Sequence, residues 1–169
     1  MTGVQTCALP ISENALALVQ DWTAQVGLTL HPDKTHIVDA TLPGGFDFLG
    51  YHFERGYRWP RKKSIKKLKD TIRSKTRRAN GNSLMVIIDA LNRILIGWFE
   101  YFKHSHKTTF PRLDAWIRMR LRSIKRKRRG GKGRGRGKDH QRWPNAYFAE
   151  HGLFSLTAAR AEACQSSRR

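Results

Sequence analysis

Two-metal phosphoryl or nucleotidyl chemistry needs carboxylates held a few ångström apart, so that they can share the ions. The chain offers no Asp-Asp pair: Asp21, Asp33, Asp39 and Asp47 stand alone, and such singletons serve as solvated charges, turn formers and caps. His104-Ser105-His106 is the one close histidine pair with a metal-like look. With no Cys or acid at ligand spacing nearby, it reads as two polar residues favoured at a helix C-terminus, and no metal site is assigned. No Ser-His-Asp order is legible. The stretch GKGRGRGKD lacks the spacing of a phosphate-cradling loop, because Asp139 stands where that loop needs a hydroxyl.

The chemistry that remains is charge. Among 169 residues, 33 Lys and Arg face 13 Asp and Glu, a formal net charge of +20, and a field of that size draws polyanions. The excess is uneven. Residues 1–53 hold one basic residue, Lys34, against five acids, whereas residues 54–138 hold 28 against five, which places a boundary near Glu54. Two cysteines, Cys7 and Cys164, sit at opposite ends without a CxxC partner, a usage that fits a reduced, bacterial-type cytoplasm. No apolar run approaches the about 18 residues a membrane span needs, so no membrane partner is expected.

Periodicity supplies the elements that must carry this charge. Ala15, Leu18, Val19, Trp22 and Val26 fall at helical spacing between a Ser12 cap and a Gly27 stop. After the polar turn HPDKT come the β-capable HIVD and the alternating FDFLGYHF, which predict a small antiparallel sheet of two or three strands. From Ser64, the apolar stripe Ile65, Leu68, Ile72 leaves Lys66, Lys67, Lys69, Arg73, Lys75, Arg77 and Arg78 on a broad basic face, ending at Asn80-Gly81. The strongest helix follows Ser83, with Leu84, Ile87, Ile88, Leu91, Leu95, Trp98 and Phe102 on one side. A third begins at Thr109-Phe110-Pro111 and ends among Arg118, Arg120, Arg122, Lys125, Arg126 and Lys127. The run KRKRRGGKGRGRGKD has almost nothing to bury and predicts a disordered basic linker over 129–140. An aromatic segment and a short Ala-rich helix from Ser155 close the chain. Tyr57, Trp59 and Trp143 interleave with Arg, a pattern that suits stacking on unpaired bases and equally suits a core.

In order and spacing from Ser12 onward, WTAQVGLTLHPDKTHIV, GFDFLGYHF, SIKKLKDTIRSKTRR, LNRILIGWFEYFKHS, LDAWIRMRLR and WPNAYFAEHGLFSL resemble the C-terminal part of group II intron-encoded reverse transcriptase/maturases. The resemblance implies an α+β, mainly α chain. Residues 12–60 are expected to end a polymerase palm, 61–128 to form a three-helix basic thumb or maturase-specific domain, and 141–169 to form a C-terminal aromatic segment with a short helix. Lys34 matches the family's late-palm lysine, near the incoming nucleotide. Phe48, Leu49, Gly50 and Tyr51 match the block that helps hold the primer. Arg61, Lys62, Lys63, Lys66, Lys67, Lys69, Arg73, Lys75, Arg77 and Arg78 are expected to grip intron RNA and the template-primer duplex, joined by Arg118, Arg122, Lys125 and Arg126.

The family's Tyr-x-Asp-Asp box and earlier metal-binding Asp lie upstream of the lysine motif and have no counterpart here. The resemblance therefore implies no polymerase activity and no cofactor in this chain alone, with Mg2+ and the N-terminal part of the polymerase belonging to the intact parent. Residues 1–11, MTGVQTCALPI, resemble the translation of a short-read sequencing adapter and are expected to be foreign to the fold. Two other readings compete: a stand-alone basic RNA-binding structural protein, and a DNA-binding or homing nuclease component. Only the maturase reading accounts for HPDKT and GFDFLGYHF preceding the basic helices.

Overall fold

The computed structural model describes residues 8–35, 37–39, 43–135 and 137–166. Helix α1, Ala8–Gln25, is followed by a short 3-10 turn, Pro32–Lys34, and by strands β1, Phe46–Phe48, β2, Tyr51–Glu54, and β3, Tyr57–Pro60. Helices α2, Lys62–Lys75, α3, Leu84–Phe102, and α4, Thr109–Arg128, form the body of the molecule. Short helices α5, Lys138–Arg142, and α6, Asn145–Glu150, lead to α7, Leu156–Ser166. The mainly helical α+β class is as expected.

Helix α1 starts before the expected cap at Ser12. Pro10 lies in its first turn, where the N–H that proline lacks would have had no intrahelical partner. The proposed foreign segment thus overlaps the start of the helix, while residues 1–7 lie outside the described residues. The apolar stripe of α1 is exposed, Trp22 by 61% and Leu18 by 70%.

The sheet differs from the expectation in where its strands fall. Residues 37–39 of HIVD form no strand, and His36 lies outside the described residues. FDFLGYHF is two strands and a turn, with Phe48 opposite Tyr51, and RWP supplies part of the third strand, with Glu54 opposite Tyr57. Both turns are two-residue turns with positive φ at each position, Leu49 (46°)–Gly50 (81°) and Arg55 (50°)–Gly56 (74°). Such turns match the twist of antiparallel strands and place glycine where a left-handed backbone is needed. The order is β1-β2-β3, all antiparallel.

Polar contacts seat this sheet on the helices. The Gly50 carbonyl accepts from the Arg61 N–H at 2.9 Å and from Ser64 Oγ at 3.1 Å. The Tyr101 hydroxyl donates to the Leu49 carbonyl at 2.6 Å, and the Tyr51 hydroxyl donates to the Tyr101 carbonyl at 2.5 Å. Farther along, Arg58 Nε donates to the His104 carbonyl, and the His106 N–H donates to the Arg58 carbonyl. The His104-Ser105-His106 stretch is therefore the landing for β3.

The core is built around α3, which buries Leu84, Ile87, Ile88, Leu91, Leu95, Phe99 and Phe102. Ser83 caps it, its side chain accepting from the Val86 N–H. Leu68 and Ile72 of α2, Phe110, Leu113, Ile117, Leu121 and Ile124 of α4, Phe148 of α6 and Leu156 of α7 complete one contiguous cluster. Helix α2 ends at Lys75, earlier than the expected Asn80-Gly81, where Thr76 turns the chain and bonds back to the Ile72 carbonyl.

The Gly/Arg stretch falls within the linker expected over 129–140. Its described residues fold back on α4: the Gly131 N–H donates to the Arg126 carbonyl, Arg126 Nε to the Lys132 carbonyl, and the Gly135 N–H to Ser123 Oγ. A Cβ added at Gly135 would come within 2.6 Å of the Arg122 Cβ. Glycine permits that approach, and backbone groups satisfy the donors that a charge count leaves out.

Asp114, buried to 4% exposure on α4, caps α7 across the core. Its carboxylate accepts from Ser155 Oγ, from the Leu156 and Thr157 N–H groups and from Thr157 Oγ1, at 2.8–3.2 Å. Removing it would leave the buried Leu156 N–H, the half-buried Ser155 hydroxyl and both Thr157 donors without this acceptor. Asp114→Ala is expected to lower stability by about 2–3 kcal/mol, with Asp114→Asn intermediate. A thermal melt followed by circular dichroism checks this, and an unchanged melt for the alanine variant contradicts it.

The sheet contact carries its own pH signature. Burial, ahead of any neighbouring charge, holds the Tyr51 phenol above its ordinary value of 10. The folded form then keeps a proton that the unfolded chain loses. This stabilisation is complete below the unfolded value and fades as pH rises through the raised folded one. The loss of melting temperature between about pH 9 and about pH 11 should be smaller for Tyr51→Phe than for the parent; equal losses would contradict the assignment.

Candidate nucleic-acid interface

Helix α2 turns Leu68 and Ile72 into the core and leaves Lys62, Lys63, Lys66, Lys67 and Lys75 exposed, with Lys69 half-buried. Its one acid, Asp70, pairs with Arg73 at 2.5 Å, both side chains about half exposed, an exposed pair that contributes little to stability. Arg77 and Arg78 extend the exposed basic run past the helix end, and Arg61 lies just before its start. These residues lie on α2 and on the segments that flank it.

The basic residues of α4 divide differently. Arg122, expected at the nucleic-acid surface, is 2% exposed. Its Nε donates to the Trp143 carbonyl and its Nη2 to Asn145 Oδ1, both at 2.8 Å, over the face of Phe148. Burial, then the nearby Arg118 charge, lower its pKa, with Asp139 opposing. Arg122 therefore ties α4 to the segment leading into α6 and is unavailable to a phosphate. Arg126 is half-committed in the same way, its Nη1 2.6 Å from Asp139. Lys125 donates to the Tyr147 hydroxyl at 3.0 Å and lies over the Trp143 ring. Arg118 is half-buried, its Nε finding no partner among the described residues.

Of the candidate stacking aromatics, Trp143 is 5% exposed and belongs to the core. Trp59 packs among Tyr57 and His106. Tyr57 is 56% exposed, the one of the three left open.

The expected primer-holding residues occupy the first hairpin turn. Phe48 and Leu49 are exposed, whereas Gly50 and Tyr51 are half-buried against α2 and α3. Beside them a cleft of about 520 Å3 is lined by Leu49, Gly50, Arg61, Ser64, Lys67 and Trp98 among others. Two of its lining residues carry buried donors with no partner among the described residues, Arg61 Nε and Trp98 Nε1. An apolar floor with cationic rims and unused donors can take a sugar-phosphate backbone. Lys34 is exposed at the end of its 3-10 turn and is not among the residues lining that cleft.

Arg120 acquires a role that charge counting does not distinguish from that of its neighbours. From α4 it donates Nε to Thr76 Oγ1 at 2.6 Å and Nη2 to the Thr76 carbonyl at 2.9 Å. The guanidinium thus sits on the C-terminus of α2, where the helix dipole favours a cation. Burial and the Arg73 and Arg78 charges lower its pKa. Arg128 reaches the Asn80 and Asn82 carbonyls in the same fashion. The signal for both, basic residues on the face of α4 turned toward α2, becomes readable only once the crossing of the two helices is known.

Among the described residues no group of three or more His, Cys, Asp or Glu side chains gathers as metal ligands. The residues present thus do not fit the Mg2+ of a polymerase, and no chemical step is assigned to it. No helix among them is long and apolar enough to cross a membrane.

No curated protein matches the chain. Just under half of the chain, residues 65–143, matches the family model described as group II intron, maturase-specific domain. That span takes in nearly all of α2, the whole of α3, α4 and α5, and the Gly/Arg loop that α4 holds. The basic helical unit at residues 65–143 is thus similar to the maturase-specific domain of group II introns.

Proposed function

We propose that this chain binds group II intron RNA through the exposed face of α2 and the adjoining end of α4, and so promotes the splicing and mobility of the intron. The observation that carries the reading is the exposed row Lys62, Lys63, Lys66 and Lys67, continued by Lys75, Arg77 and Arg78, on a helix whose other side is fixed in the core. A surface of that kind follows a phosphate backbone by neutralising charge and releasing counterions. The maturase-specific domain supports an intron RNA as the partner.

The finer reading extends to the intact protein. There the chain would supply the end of the palm and the thumb of an RNA-directed DNA polymerase. The turn at Phe48–Tyr51 and the cleft beside it would face the template-primer, with Lys34 toward the nucleotide. The catalytic carboxylates and the Mg2+ they hold would come from other parts of that protein, working in the cytoplasm.

Filter binding to a structured group II intron RNA over a salt series tests the central reading. If about eight of these side chains meet phosphates, the logarithm of affinity falls against the logarithm of salt with a slope of about −6 to −7. An affinity indifferent to salt would contradict it.

A further inference from the structure

Between the C-terminal end of α2 and the middle of α4 lies a cavity of about 210 Å3 whose lining includes four guanidinium groups and no carboxylate. Arg73 comes from α2, Arg78 from the turn after it, Arg120 from α4 and Arg134 from the Gly/Arg loop, with the Trp116 ring among them. The volume is several times the about 30 Å3 that one water takes up in the liquid, room enough for a tetrahedral anion.

Arg73, Arg120 and the loop that carries Arg134 are held in place by contacts that need no ligand. Arg120 is fixed by its two bonds to Thr76. Lys69, Arg73 and Arg120 lie 5.4–5.7 Å from the centre of the Trp116 ring, so an aromatic face orients three cations at once. Arg134 is brought to the cavity by its neighbour, since the Gly135 N–H bonds to Ser123 Oγ at 3.1 Å. Burial first, and then the Arg73 and Arg78 charges, lower the pKa of Arg120. Asp70 relieves only Arg73, and does so at an exposed edge. Like charges gathered in a partly dry site cost free energy that a bound anion would recover, and the guanidinium fork matches phosphate oxygens two at a time.

We infer that this cavity is a site for one phosphate group of the bound RNA, clamped by Arg73, Arg78, Arg120 and Arg134. The inference rests on the RNA-binding reading above and sharpens it: a surface that otherwise tracks the backbone by diffuse attraction has one fixed point. The phosphate comes either from an internal diester or from a 5′-terminal monoester.

The test uses the full chain and two charge-matched double variants. Arg78→Gln with Arg134→Gln removes two exposed cations from the cavity, and Lys62→Gln with Lys66→Gln removes two from the far end of α2. The cavity pair is expected to weaken binding of an intron RNA about tenfold more than the control pair. Inorganic phosphate is expected to raise the melting temperature of the parent above that in chloride of equal ionic strength, and to lose this effect in the cavity pair. The same RNA carrying a 5′-phosphate or a 5′-hydroxyl separates the two sources. A cavity-pair loss that is equal for both RNAs assigns an internal phosphate, and a loss confined to the phosphorylated RNA assigns the terminal one. Equal weakening by the two double variants, with no stabilisation of the parent by phosphate, would overturn the cavity site and leave general RNA binding standing. A parent chain that fails to bind the RNA at all would overturn the function itself.

Discussion

Helices as basic as α2 and α4 repel one another, and they lie side by side because both bury an apolar seam against α3. Helix α2 carries seven Lys and Arg against one acid, and α4 carries eight against one. Exposed charges interact by well under about 1 kcal/mol per pair at physiological salt. A fully buried Leu, Ile or Phe contributes about 1.5–3 kcal/mol, and Ile72, Leu91, Leu95, Phe110, Leu121 and Ile124 are all fully buried. Burial wins by number and by size. The residual repulsion is directed outward, where a polyanion relieves it.

The same constraint decides which cations face that polyanion. Several guanidiniums of α4 bond to carbonyl oxygens, Arg122 at Trp143 and Arg120 at Thr76 in buried or half-buried positions, Arg126 at Lys132 and Arg128 at Asn80 and Asn82 at the surface. Each fastens a neighbouring segment to α4 or to the end of α2, and the Gly/Arg loop, with little apolar to bury, is the plainest case. Positive charge thus does two jobs in this fold. On α2 most of it is exposed to a ligand, and on α4 much of it adds polar ties to the apolar contacts of Trp143, Phe148 and Leu156 in holding the C-terminal segments. Asp114 is the counterpart on the acidic side, a buried carboxylate spent on the backbone of α7.

Much of this was legible in the sequence. The 3.6-residue pattern of α3, its start just after Ser83 and the Pro111 start of α4 are local signals, and the structure follows them. Three features were not. FDFLGYHF alternates like one strand, because a Leu-Gly turn of two residues preserves the alternation on either side of it. The contacts of the loop at 129–135 leave no mark in its composition, because they come from Ser123 and Arg126 on a neighbouring helix. Arg122 and Arg118 look alike in a count of charges, yet burial differs between 2% for Arg122 and partial exposure for Arg118. In each case the deciding contact is tertiary, and sequence spacing carries no record of it. The exposed row on α2, by contrast, needs only the position of the apolar seam, and that was readable.

The central claim is that RNA lies along α2 and across the α2–α4 junction, while α4 and α7 are fastened from the other side. Hydrogen–deuterium exchange of the full chain, with and without a group II intron RNA, tests this most directly. The account predicts new protection over residues 61–80 and over the Gly/Arg loop at 129–135, with α7 unchanged. Protection centred on α7, or none at α2 under conditions where the RNA is bound, would contradict it.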